Sequence, residues 1–207
     1  GRNKRFKSLY RTIGGDKVMQ NKIIELLRST ERPGIENLCE YMIYESDFFT
    51  APCSTQYHLC KEGGLAEHSL NVYMYMRNAA AGIGYYDPLF DTEGIGNSII
   101  ITSLLHDIGK ANYRGKPNYV PNILASGKVS TAKPFETNKD RLYISHEVIS
   151  LQITSKFIEL TEEEEYAIYY HNALYTATGR DLNGKERPLQ TLLHFADLYV
   201  SRFVEVE

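Results

Sequence analysis

The chain has 207 residues, 43% of them hydrophobic and 24% charged, which is globular composition and argues against disorder of the whole chain. A net charge of −3, from 23 basic and 26 acidic side chains, excludes a global electrostatic footprint for nucleic acid. No apolar run approaches the roughly 18 residues of a membrane span.

The length suits one domain, or one domain and an extension. Arg2, Lys4, Arg5, Lys7 and Arg11 precede Gly14-Gly15, so residues 1–16 read as a basic N-terminal extension. It is either a phosphate-contacting arm or a solvated tail. It lacks the apolar stretch of a signal peptide. Cys39, Cys53 and Cys60 form no CxxC and cannot all pair, so a reduced, cytoplasmic setting is expected.

Residues 17–207 read as one all-α domain. A first helix is predicted over 16–29, capped by Asp16, with Val18, Ile23, Ile24, Leu26 and Leu27 forming its apolar stripe. Pro33-Gly34 ends it. A second is predicted over 35–44 with Leu38, Tyr41 and Met42 inward. Residues 45–64 are rich in Ser, Thr, Pro and Gly and read as a loop. A third helix follows Gly63-Gly64, with Leu65, His68, Leu70, Val72 and Met76 in helical period. Asn97-Ser98 is expected to cap a strongly apolar helix, IIITSLLHDI, and Gly109 to stop it.

Residues 111–145 break the helical pattern and suggest a small β-hairpin or an irregular insertion. A helix resumes near Ser145. Thr161 and Glu164 form a capping box that opens a helix reaching His171. Residues 173–187 read as a loop. Pro188 suits the first turn of a last helix whose predicted buried stripe is Leu189, Leu192, Leu193, Ala196, Val200 and Phe203.

Several common signatures are absent: GxxxxGK[ST], GxGxxG and GxSxG do not occur. His146-Glu147 begins like HExxH, but position 150 is Ser, so the second zinc histidine is missing. The informative feature is the placement of His68, His106, Asp107, His146, His171 and Asp197. All adjoin apolar helical sequence and most lie near a helix end. Histidine and aspartate on apolar helices are costly unless partnered. Four His and two Asp form a mixed nitrogen and oxygen set suited to Mn, Fe, Co or Ni, and able to hold Zn or Mg. Structural roles, such as a cation capping a helix C-terminus, are the alternative.

These residues carry a resemblance. GGLxEHS at His68, LLHDIGK at His106-Asp107 and LLHxAD at Asp197 together resemble the HD-domain metal-dependent phosphohydrolases. The likeness runs from about Gly63 to Arg202. It is strongest to small phage and bacterial HD proteins and to the HD domains of bacterial 3′–5′ exoribonucleases. The resemblance implies a helical HD-type bundle with one divalent ion on His68, His106, Asp107 and Asp197. In members with two ions, Asp107 would bridge to a second held by His146 and His171. It implies hydrolysis of a phosphate ester or anhydride by a metal-activated water, with a small nucleotide or a nucleic-acid end as substrate.

Lys110 follows the HD pair and is a candidate to hold a phosphate oxygen, or is an ordinary helix-end cation. Arg202 is a second candidate for phosphate, or a partner for Glu205. His58, in the loop STQYH, is a candidate substrate-pocket residue. His194 reads as support behind the ligands or as core. Glu67 reads as a solvated face, and Arg114, Lys116 and Arg180 as loop cations. HDIGK is not followed by the motif of the deoxynucleotide triphosphohydrolases, and no GYP motif occurs; both of those substrate assignments are weakened. The alternative function is a non-catalytic, metal-containing nucleotide-binding or sensor module.

Overall fold

The computed structural model describes residues 15–206 apart from 174, 175 and 178. The basic side chains Arg2 to Arg11 lie outside the described residues. The architecture is mostly helical with one two-stranded sheet, an all-α bundle with a small β insertion. No helix among the described residues is long and apolar enough to cross a membrane.

Helix α1 (Gly15–Ser29) and α2 (Ile35–Tyr44) pack as a pair, joined by a short turn. Ile23, Leu27, Leu38 and Met42 are fully buried at this contact. Val18, predicted inward, is instead 55% exposed, so the buried stripe begins further along the helix, at Ile23. Helix α3 (Gly64–Gly82) crosses behind the pair, and α4 (Ile95–Leu105) lies against α3.

Helix α4 explains its own composition. All residues from Ile99 to Leu105 are buried, as expected of a helix apolar on every side. It is shared by two hydrophobic clusters. Ile101, Leu104 and Leu105 join α1, α2 and the start of α3, while Ile99 joins Val72, Met76, Ala167, Leu193 and Ala196. Its buried hydroxyls are satisfied locally: Thr102 Oγ1 donates to Ser98 O at 2.7 Å and Ser103 Oγ to Ile99 O at 2.5 Å.

The start of α4 differs from expectation. It begins at Ile95, not after Asn97-Ser98. The cap is the Asp91 carboxylate, which accepts from Ile95 N at 2.9 Å and Gly96 N at 2.8 Å. It satisfies helix-end donors that the sequence pattern assigned to Asn97. Gly109 also differs. It does not follow the helix but sits inside a 3₁₀ turn (Ile108–Lys110). A Cβ there would collide with His146 O, and Gly109 N donates to Ser150 Oγ at 2.9 Å. Its role is close approach of two backbones.

The insertion holds β1 (Tyr119–Pro121) and β2 (Phe135–Thr137), antiparallel with Val120 opposite Glu136. Arg141 pins its end by donating to Ala111 O at 2.8 Å and Gly109 O at 2.9 Å. Phe135 N donates to Thr55 O, tying the insertion to the loop before α3.

Helix α5 (His146–Ser155) packs on the 3₁₀ turn, and α6 (Glu162–Tyr170) begins with the predicted capping box. Residues 173–187 are not wholly loop: they hold a short helix α7 (Gly179–Leu182). Pro188 opens α8 (Pro188–Tyr199), which passes into a π-helical turn, Val200–Val204. That turn corrects the predicted stripe. Leu189, Leu192, Leu193, Ala196 and Val200 are buried, but Phe203 is 64% exposed, since the wider turn rotates it off the inward face.

Glu164 ties the first helices to the rest. Its buried carboxylate closes the capping box at Thr161 N and accepts from Ser98 Oγ at 2.7 Å. It also receives a two-pronged contact from Arg32, at 2.7 and 3.0 Å. Arg32→Met should therefore destabilise the fold by about 3 kcal/mol, because it strands a buried charge. Urea unfolding measures this, and adding Glu164→Gln should recover part of the loss.

Candidate metal centre

Four elements deliver the histidines. His68 lies one turn into α3, His106 caps the C-terminus of α4, His146 opens α5 and His171 caps the C-terminus of α6. Asp197 comes from α8. Because α4 is central, its last residues arrive in the middle of the protein. His106 keeps helical angles, but Asp107 turns to φ −108°, ψ 9°, in the bridge region. Adjacent side chains that would diverge on a helix instead converge, with His106 Nε2 3.4 Å from Asp107 Oδ2.

Each imidazole is held through Nδ1. His106 Nδ1 donates to Ser103 O at 2.8 Å and His171 Nδ1 to Ile168 O at 2.7 Å. His68 Nδ1 faces the Glu205 carboxylate at 3.0 and 3.2 Å. His146 Nδ1 lies 3.5 Å from Glu147 Oε2. A carbonyl only accepts, so the protons of His106 and His171 sit on Nδ1 and their Nε2 lone pairs face inward.

The four Nε2 atoms surround Asp107. Its Oδ2 lies 3.6 Å from His68 Nε2 and 3.4 Å from His106 Nε2. Its Oδ1 lies 3.2 Å from His146 Nε2 and 3.4 Å from His171 Nε2. Asp197 Oδ1 adds a second carboxylate 3.1 Å from His68 Nε2. The donor atoms of His68, His106 and Asp107, of His106, His171 and Asp197, and of Asp107, His146 and His171 each lie within 4.8 Å of one another. The six predicted residues are thus brought into one cluster, with each Asp107 oxygen turned to a different pair of histidines.

The polar accounting fits a cation. His68 Nε2, His106 Nε2 and Asp107 Oδ1 are buried without a hydrogen-bond partner among the described residues. Lone pairs on His106 and His171 point at an anionic carboxylate, a repulsive arrangement that positive charge between them relieves. Burial would raise the Asp107 carboxyl, but Lys110 and His106 hold it well below the usual range. Burial would also lower His68. The acidic groups around it, Glu205 and Asp197 among them, raise it instead well above the usual imidazole value. The pocket favours positive charge at its centre.

His68, His106, Asp107 and His171 form the floor, at most 1% exposed. His58, Lys110, His146 and Asp197 form the rim, with side chains 17% to 23% exposed. Lys110 Nζ lies 2.6 Å from Asp107 Oδ2, and Asp107 raises the ammonium well above its usual value against the effect of burial. His58 Nε2 lies 3.4 Å from Cys53 Sγ. Burial lowers His58 to about 4 and pushes the Cys53 thiol up to about 11.

The remaining candidates fall elsewhere. His194 Nδ1 donates to His171 O at 2.5 Å, so it stands behind a histidine of the cluster. Arg202 is exposed on the π-helical turn. Glu67 faces outward to Lys61. Lys116 donates to Asp140 O, Arg114 stacks over Tyr113, and Arg180 is exposed. Nothing in the sequence predicts Glu205 or Cys53 beside His68, because each comes from a segment whose register only the fold defines, whereas Asn71 lies at i+3 from His68 on the predicted third helix. Glu147 was legible as the neighbour of His146.

Comparison with known families gives one match: the HD domain family model aligns with residues 65–198. That span begins just before His68, ends just after Asp197 and includes all six clustered residues. Neither the curated proteins nor the solved structures contain a match. The family match and the helical architecture agree: the chain belongs to the HD domain family, the superfamily of metal-dependent phosphohydrolases.

Proposed function

We propose that this chain hydrolyses a phosphate ester or anhydride, on a small nucleotide or the end of a nucleic-acid strand, with two divalent ions. The observation that supports this most is the division of Asp107 between two sets of imidazoles. His68, His106, Asp107 Oδ2 and Asp197 would hold one ion, and His146, His171 and Asp107 Oδ1 the other. Ions so bound supply Lewis acidity and lower the pKa of an attacking water.

The protein's own groups have distinct tasks in this reading. The Nδ1 contacts fix each imidazole so that no reorientation is needed when the site fills. Lys110 spends one N–H on Asp107 and keeps two for non-bridging phosphate oxygens. Its position on the rim suits charge developing on phosphorus in the transition state. His58 lines the same rim as a hydrogen-bonding group for the substrate. No side chain is required as nucleophile.

A net charge of −3 favours a compact phosphate group drawn to the metal centre over a long duplex held along its backbone. Mn, Co, Ni, Fe, Mg and Zn all suit the mixed nitrogen and oxygen donors. Supplying an effective ion at a hundred times its Kd should stabilise the protein by about 2.7 kcal/mol.

The decisive measurement is hydrolysis of generic phosphomonoesters, phosphodiesters and nucleotides with each metal. Asp107→Ala should lose both turnover and metal-dependent thermal stabilisation. Hydrolysis that persists in that variant would sink the scheme. Metal and nucleotide binding by the wild-type chain without turnover would favour the sensor reading.

Lys110→Ala should lower kcat by about 100-fold, the cost of losing one preorganised donor to developing charge, with a smaller change in KM. Unchanged kcat would remove Lys110 from the reaction.

A further inference from the structure

The end of α8 carries a carboxylate that neither the predicted ligand set nor the matched HD region includes. Glu205 lies beyond residue 198, where the family match stops. It is 7% exposed, unusual for a carboxylate. Its Oε2 lies 3.0 Å from His68 Nδ1, its Oε1 3.2 Å from the same atom, and Oε1 also accepts from Asn71 Nδ2 at 3.0 Å.

The π-helical turn puts it there. In an uninterrupted α-helix, eight steps of about 100° would set Glu205 roughly 80° away from Asp197. Here Glu205 N donates to Val200 O at 3.0 Å, an i to i+5 closure. The wide turn absorbs one residue, so eight steps rotate like seven, about 700°, and Glu205 returns to within roughly 20° of the Asp197 direction. One helix end thus presents a carboxylate on each side of the His68 ring: Asp197 at Nε2 and Glu205 at Nδ1.

The other anchors differ in kind. His106 and His171 are held by neutral backbone carbonyls, and Glu147 stands 3.5 Å from His146. His68 alone has a carboxylate within hydrogen-bond distance of Nδ1. A carboxylate there fixes the ring, keeps the proton on Nδ1 and makes Nε2 a stronger donor to a cation. Asn71 holds the carboxylate in turn.

We infer that Glu205 is a positioning residue for the ion on His68, acting through the His68 ring and oriented by Asn71. This rests on the two-ion reading above and adds an asymmetry to it. Glu205 touches neither His146 nor His171, so its effect falls on one ion and spares the other.

The test is titration of the metal-free full chain with Co(II), followed by visible absorption, for wild type, Glu205→Gln and Glu205→Ala. Wild type should bind two ions. Glu205→Ala should bind one of them about 10- to 100-fold more weakly and the other unchanged. Glu205→Gln, which keeps an acceptor for Nδ1, should fall between. If the alanine variant does not fold, the glutamine variant still reports the one-ion loss. Wild-type affinity for both ions in the variants, or equal weakening of both, would overturn the role of Glu205 alone. No cobalt uptake by the wild-type chain would overturn the metal reading and this role together.

Discussion

Desolvating a carboxylate costs several kcal/mol unless its surroundings compensate, and Asp107 is 1% exposed at the middle of a helical protein. Lys110 supplies one charged hydrogen bond at 2.6 Å, and four imidazoles turn their Nε2 atoms to it at 3.2 to 3.6 Å, an arrangement that a cation between them completes. Every helix that supplies one of those groups is fixed in position by the need to meet this carboxylate. The centrality of α4, the close approach of α5 at Gly109 and the termination of α6 at His171 all serve that one point. Removing any of them leaves polar atoms buried without partners.

The two hydrophobic clusters make the meeting possible. One joins α1, α2, the start of α3, α4 and α5, and the other joins the rest of α3 with α4, α6 and α8. The polar centre lies where they adjoin, at the end of α4. Its floor is sealed by apolar packing, while its rim opens beside the insertion. Cations at such a floor act in a low dielectric, where their effect on a phosphate is greater than in water.

Much of this was legible in the residues themselves. The bundle followed from helical periods and from unambiguous caps at Thr161, Glu164 and Pro188. The six clustered residues stood out because histidine and aspartate adjoined apolar helical sequence, most of them near a helix end, where an unpartnered polar group is costly. Other features were hidden for physical reasons. The true cap of α4 is Asp91, separated from the helix by a glycine turn, while the nearer side chains of Asn97 and Ser98 donate instead to Thr30 O and Glu164 Oε1. Gly109 had the signature of a helix stop, and only the packing of α5 reveals why a side chain is impossible there. Phe203 was misplaced and the place of Glu205 beside His68 was not foreseen, since a period of 3.6 gives no warning of a π-helical turn. The short helix at Gly179 has too few residues for any period to show.

The anchoring of His106 and His171 has an evolutionary meaning. Both rings use the carbonyl three residues back, a group that the end of a helix leaves unpaired in any case. Every amino acid carries that carbonyl, so these two hydrogen bonds do not depend on which side chains occupy positions 103 and 168. Orientation there is inherited from the helix and is robust to point mutation. At His68 the same task falls to a side chain, and it can be lost or acquired in a single step. Drift in this protein therefore meets a fixed half and an adjustable half of the same centre.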